Sequence, residues 1–142
     1  MITIFIVNSL VIAIAVLIHA QALYSLSSLV PRLKINAKFK IVISVLGVII
    51  AHIIEVWLFA FTYYFLIKSS NLGTLEGAFN NSLMDCSYFS FTSYTSLGIG
   101  DIIPTGHIRF LVGLETLSGL VLITWSASFL YIEMQKLWNK KL

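Results

Sequence analysis

The 142-residue sequence has little charge, two prolines and a single cysteine. Charged residues make up 11% of it against 58% hydrophobic ones, and the mean hydropathy is +0.95. A soluble domain of this size needs more polar surface than that composition supplies, so a membrane protein is the class that remains. The lone Cys86 excludes an intrachain disulfide and reads as a small packing residue among aromatics. No H-E-x-x-H signature and no nucleophile–base pair occurs, which leaves a membrane enzyme without support and implies no cofactor. No helix is rich in arginine, so voltage sensing of that kind is excluded. Internal repeats and low-complexity tracts are missing as well, and the short stretch after the last apolar run leads us to expect no appended ligand-binding domain and no small-molecule ligand. The net charge of +3 does not speak for nucleic acid, because seven of the nine cations fall in two short stretches beside apolar runs.

Three long apolar runs are present. The first extends from Ile2 to about Tyr24 and is interrupted only by Asn8, His19 and Gln21. At about 1.5 Å rise per residue it crosses the roughly 30 Å hydrocarbon core. Ala20-Gln21-Ala22 resembles a signal-peptide cleavage site, but the basic leader is missing and the apolar run is too long, which favours a retained span. Pro31 and the cluster Ser25, Ser27, Ser28 are expected to mark its end. Arg32, Lys34, Lys38 and Lys40 follow without one acid, and Lys136, Lys140 and Lys141 close the chain. The positive-inside rule places both stretches in the cytoplasm and the amino terminus outside. The second run spans about Phe39 to Ile67, with Trp57, Tyr63 and Tyr64 towards its outer end. The third spans about Ile108 to Tyr131.

Between the second and third runs lies Thr95-Ser96-Leu97-Gly98-Ile99-Gly100-Asp101. Alternate glycines allow left-handed dihedrals, and alternating dihedrals aim successive carbonyl oxygens one way, as in a cation filter. A bare G-x-G-D also fits an extracellular turn. The flanks separate the two readings: a short aromatic segment from Asn81 to Thr95 precedes it, and the turn Ile102 to Gly106 leads into the last run. Tyr88 to Asp101, YFSFTSYTSLGIGD, resembles the pore helix and filter of the potassium-channel pore-loop family, whose filter reads T-V/I-G-Y/F-G-D. Ser96 stands for the threonine, Leu97 for the valine and Ile99 for the aromatic residue; the likeness extends from about His52 to Tyr131.

The resemblance implies an all-α membrane protein of the cell membrane. Three transmembrane helices would frame a re-entrant pore helix and filter loop between the second and third, and four copies would close the pore. Residues 1–26 would form an N-terminal span, 27–40 a basic cytoplasmic linker, 41–134 the pore domain and 135–142 a short cytoplasmic tail. The implied function is a potassium-selective or potassium-preferring channel subunit. Potassium would bind at Ser96, Leu97, Gly98 and Ile99, with Gly100 completing the filter and Asp101 at the outer mouth, concentrating cations or bracing the loop. Gly119 would be an inner-helix hinge, or a close-packing point, and Leu120, Ile123 and Ala127 would line the inner cavity. Ile99 lacks the ring and hydroxyl of the usual residue, which makes a weakly selective monovalent cation channel the neighbouring reading. Tyr88, Phe89 and Tyr94 are expected to fill part of the space beside it.

His52, Glu55 and Glu115 lie within the apolar runs, where each costs free energy unless it faces protein or water. They are expected to form one hydrogen-bonded cluster between the second and third spans, either structural or a source of pH-sensitive gating through His52. His52 and Glu55, three apart, supply too few ligands for a metal site. His19 and His107 read as interfacial residues. A proton-coupled transporter or assembly subunit using His52, Glu55 and Glu115 is the remaining alternative, although transporters normally carry internal repeats.

Overall fold

A computed structural model describes residues 2–69 and 72–139. Asn71, Lys140 and Lys141 lie outside the described residues. Helix α1 (Ile2–Leu29) ends in a single 3-10 turn, Val30–Arg32. Helix α2 (Ala37–Ser69) follows, then strand β1 (Leu75–Gly77), helix α3 (Leu83–Tyr94), strand β2 (Ile102–Pro104) and helix α4 (Ile108–Asn139). Three helical stretches are long and apolar enough to cross a membrane: Ile4–Arg32, Ala37–Lys68 and Ile108–Lys136. The protein is thus an all-α membrane protein, apart from two strands of three residues each.

Two helix ends differ from expectation. The serines after Tyr24 do not break α1. Ser27 Oγ donates to the Tyr24 carbonyl at 2.9 Å and Ser28 Oγ to the Ser25 carbonyl at 3.0 Å, so the hydroxyls fold back onto the helix instead of competing with it. Pro31 makes the break, and the chain between the 3-10 turn and α2 is only 33–36. Lys38 and Lys40 consequently sit on the first turns of α2, where Lys40 Nζ donates to the Pro31 carbonyl at 3.0 Å. At the other end α4 runs through Lys136 to Asn139, because a helix satisfies its own backbone in water as in lipid. Residues 135–139 of the expected tail are helical.

Helix α3, at 12 residues, is roughly 18 Å long and too short to cross. Its start is set by Ser82, whose side chain accepts from the Asp85 backbone N–H at 3.0 Å. The Asp85 carboxylate in turn accepts from the Asn80 N–H at 2.8 Å, and this bond holds it below the usual aspartate range. Strands β1 and β2 pair antiparallel, Leu75 opposite Pro104 and Gly77 opposite Ile102. That pairing joins the entry and exit of the excursion that carries α3, so the chain returns to the side from which it left.

Val56, Phe59, Ala60 and Tyr63 of α2 meet Cys86, Phe89 and Tyr94 of α3, and Ile108 and Leu111 of α4, in one core. Helix α1 adds Val11 and Ala15, packing against both α2 and α4. In lipid, apolar contact between helices gains little over contact with acyl chains, so close packing and hydrogen bonds must supply the specificity. Gly119 provides one such contact: a Cβ there would fall on the Tyr94 carbonyl oxygen. Asn8 is the exception to polar satisfaction, since its buried amide has no hydrogen-bond partner among the described residues.

Candidate functional site

Helix α3 delivers the chain into the loop Thr95 to Asp101. The Gly98 N–H donates to the Thr92 carbonyl at 3.0 Å and the Ser96 N–H to the Ser93 carbonyl at 2.9 Å, which hooks the loop back over the helix end. Ser96, Gly98 and Gly100 have φ of 55°, 54° and 87°. Every second residue is therefore left-handed, and Ser96 adopts at a cost what the glycines adopt freely. Those same three residues line a cavity of about 260 Å³ together with Phe89, Thr92 and Thr116. Leu97 and Ile99 do not line it; they are 66% and 56% exposed in the single chain.

The expected packing of Ile99 against its own α3 aromatics is not made. Tyr88 turns instead to Asp101, Tyr94 turns into the helix core and Phe89 lies edge-on to Tyr63 at 5.3 Å. Residues 95–100 are all exposed in the single chain, and the backbone bonds that tie Ser96 and Gly98 to the end of α3 do not involve the Ile99 side chain. Asp101 is bound at both carboxylate oxygens: Tyr88 Oη donates to Oδ2 at 2.9 Å and the Ile102 N–H to Oδ1 at 3.1 Å. The carboxylate beside it raises the Tyr88 phenol above its ordinary value.

On α4, Gly119 is buried against the end of α3, whereas Leu120, Ile123 and Ala127 are exposed. The close approach expected of Gly119 is present in the structure.

The polar residues of the spans form two networks rather than the single expected cluster. Glu115 is fully buried and accepts from Tyr63 Oη and from Ser90 Oγ, each at 2.5 Å. It makes no hydrogen bond to His52 or Glu55. Those two lie in a second network with His19, which is fully buried and not interfacial. His19 Nδ1 is 2.9 Å from Glu55 Oε1, and His52 Nδ1 is 3.1 Å from Glu55 Oε2. Tyr94 Oη donates to Glu55 Oε2 and lies 2.9 Å from His52 Nδ1. Ser126 Oγ completes the set, 3.1 Å from His52 Nε2 and 3.2 Å from His19 Nε2. Position along the chain misled the reading of His19, because α1 runs five residues beyond Tyr24 and carries His19 away from its end. Ser126 was missed altogether, since a single hydroxyl in a long apolar helix gives no signal of its own, and Tyr94 was read as a neighbour of Ile99 and not as a member of this network. His107 is exposed, as an interfacial residue would be.

Comparison with known proteins gives one result. No curated protein and no solved structure shows a significant match to the chain. Residues 51–136 match the family described as ion channel, a stretch that takes in most of α2, all of α3, the loop and nearly all of α4. A short helix held between two spanning helices, with an exposed glycine loop at its end, thus belongs to a non-enzymatic, multi-pass membrane protein, and the chain is a member of the ion channel family.

Proposed function

We propose that the protein is the subunit of a homotetrameric, potassium-preferring channel whose filter is the loop from Ser96 to Gly100. The observation that carries this reading is the alternation of left-handed residues at Ser96, Gly98 and Gly100 directly after a short helix that cannot span. Such alternation aims carbonyl oxygens in register, and a ring of them replaces the hydration shell of a cation. The carbonyls of Ser96, Leu97, Gly98 and Ile99 are the proposed ligands, with Asp101 and Tyr88 bracing the outer end.

One chain supplies one wall of a pore, so closure requires copies related by a symmetry axis. The exposure of Leu97 and Ile99, and of Leu120, Ile123 and Ala127 on α4, suits surfaces that neighbouring copies or a water-filled cavity would cover. Helix α1 then lies at the periphery, residues 41–134 form the pore unit, and the amino terminus is outside because the basic stretches stay in the cytoplasm. Close packing at Gly119 accounts for that residue without a hinge.

Ile99 favours a second, narrower version of the reading: a cation channel that discriminates only weakly against sodium. An isoleucine makes neither the ring contacts nor the hydroxyl bond that stiffen an aromatic filter; aromatic pairs add about 0.5–1.5 kcal/mol each. Flux into liposomes under potassium and sodium gradients tests both, together with the mass of the particle in mild detergent. A tetramer passing potassium faster than sodium is expected, and Ile99→Tyr should raise the ratio. A monomer, or equal passage of anions, overturns the proposal. Equal sodium and potassium passage through a tetramer selects the weakly selective version.

A further inference from the structure

The network around Glu55 forms a closed ring that joins all four helices. Going round it, Glu55 Oε2 meets Tyr94 Oη, Tyr94 Oη meets His52 Nδ1, and His52 Nε2 meets Ser126 Oγ. Ser126 Oγ then meets His19 Nε2, and His19 Nδ1 returns to Glu55 Oε1. His19 belongs to α1, His52 and Glu55 to α2, Tyr94 to α3 and Ser126 to α4. The side chains of His19 and Glu55 are fully buried, Tyr94 and Ser126 are buried, and His52 is 18% exposed.

Five contacts close this ring, and each needs one hydrogen; a sixth, His52 Nδ1 to Glu55 Oε2 at 3.1 Å, closes a triangle with Tyr94 Oη and shares the hydrogen of a neighbouring contact. A neutral tyrosine, a serine and two neutral imidazoles supply one apiece, which makes four. An ionised glutamate supplies none. With four hydrogens one contact must set lone pair against lone pair, wherever the imidazole protons are placed. If both Nδ1 atoms carry the proton and face Glu55, both Nε2 atoms face the one hydroxyl of Ser126. If His52 carries its proton on Nε2, the one hydrogen of Tyr94 faces two acceptors, Glu55 Oε2 and His52 Nδ1, and one of those two contacts is left without a hydrogen. A buried acceptor without a donor is unfavourable, because nothing replaces the water it has lost. A fifth hydrogen removes the conflict. Placed on Glu55 it gives a one-way ring of five hydrogen bonds; placed on an imidazole it gives an ion pair with the same total. Both forms are electrically neutral, which is what a site inside a bilayer requires.

We propose that His19, His52, Glu55, Tyr94 and Ser126 form a binding site for one proton, which the ring holds beyond the ionised carboxylate and neutral imidazoles. The bound proton ties α1 and α4 to the last residue of α3, next to the exposed loop. Its release leaves one contact repulsive and opens the ring at the junction of the four helices. The other ionisable group whose charge acts on the ring, through Tyr94, is Glu115 of α4, whose own hydrogen bonds go to Tyr63 and Ser90. This proton count does not depend on the loop being a potassium filter.

The test is the pH dependence of reversible unfolding of the full chain in mild detergent, for the unmodified protein, Glu55→Gln and Ser126→Ala. Above about pH 6.5 unfolded imidazoles are mostly neutral and the unfolded carboxylate is ionised. The folded ring then holds one proton more than the unfolded chain, so stability falls as pH rises. The unfolding constant should grow about tenfold per pH unit until the ring proton is lost. Glu55→Gln provides the fifth hydrogen from its own amide and should flatten that alkaline slope by one proton. Ser126→Ala removes two contacts and one hydrogen, so the three remaining contacts need only three hydrogens and the slope should again flatten. His107→Gln, which alters an exposed histidine, should keep the full slope. An unmodified protein without the slope, or Glu55→Gln with the slope intact, overturns the proposal. So does one chelator-removable divalent ion per purified chain, since a metal would then do what the fifth hydrogen does.

Discussion

The loop at Thr95–Asp101 and the ring around Glu55 are neighbours in the chain fold, since Tyr94 belongs to one and directly precedes the other, yet they are built by opposite means. The loop is made of backbone. Its side chains at Leu97 and Ile99 face outward, and its character comes from the dihedrals of Ser96, Gly98 and Gly100. The ring is made of side chains drawn from four helices, with residues as far apart as His19 and Ser126 in contact. A backbone device needs a local run of residues, whereas a side-chain device needs only that distant helices be brought to one depth. The first can be varied one glycine at a time; the second fails as a unit, because removing one member leaves its partners unpaired.

The largest effect is expected where the loop is altered. A Cβ placed on Gly98 or Gly100 meets nothing within 4 Å in the single chain, so crowding is not the obstacle there. The obstacle is φ, and a left-handed alanine costs roughly 1–2 kcal/mol at each copy. Gly98→Ala or Gly100→Ala should abolish selective cation flux in liposomes while the helices stay folded by circular dichroism. Normal potassium flux from either variant would show that the loop does not work through its backbone, and the contrast with the ring would collapse.

Gly119→Ala acts on the seam between the two regions. Its new methyl would fall on the carbonyl of Tyr94, the residue that serves the ring and leads into the loop. Overpacking of this kind typically costs about 1–3 kcal/mol. The thermal midpoint in detergent should drop, and flux with it. A variant as stable as the parent would mean that α4 shifts freely at Gly119, in favour of a hinge.

Tyr88→Phe is the smallest of the three. It removes the bond to the Asp101 carboxylate, which sits at the exposed end of the loop and keeps the Ile102 N–H as a second partner. An exposed hydrogen bond competes with water, so only a small shift in reversal potential under mixed potassium and sodium is expected, with fold and ring unchanged. A loss of flux as complete as that of Gly98→Ala would show that the brace, and not the glycine backbone, holds the loop in shape.

Reading the chain as sequence recovered the local features for a common reason. Apolar runs longer than the hydrocarbon core announce spans, and glycines at alternate positions announce left-handed backbone. Each depends on residues within a few positions of one another. The helix ends were less legible, since serines that break a helix in one setting bond back to it in another. The polar network was read with the wrong membership. Glu115 has the same intramembrane character as Glu55, but α4 places it against Tyr63 and Ser90 instead of His52.

Composition, long apolar runs and the glycine spacing by themselves determined that this protein crosses a membrane and carries a loop of left-handed backbone between its second and third spans. Only the tertiary structure decided that His19 is a core residue, that Tyr94 and Ser126 complete a ring with it, and that Gly119 packs on the end of α3. The physical reason is distance along the chain. Dihedral preferences and transfer free energies act residue by residue and are written locally. Hydrogen bonds among buried side chains depend on the rotation and depth of helices relative to one another, and those quantities exist only once the helices have packed.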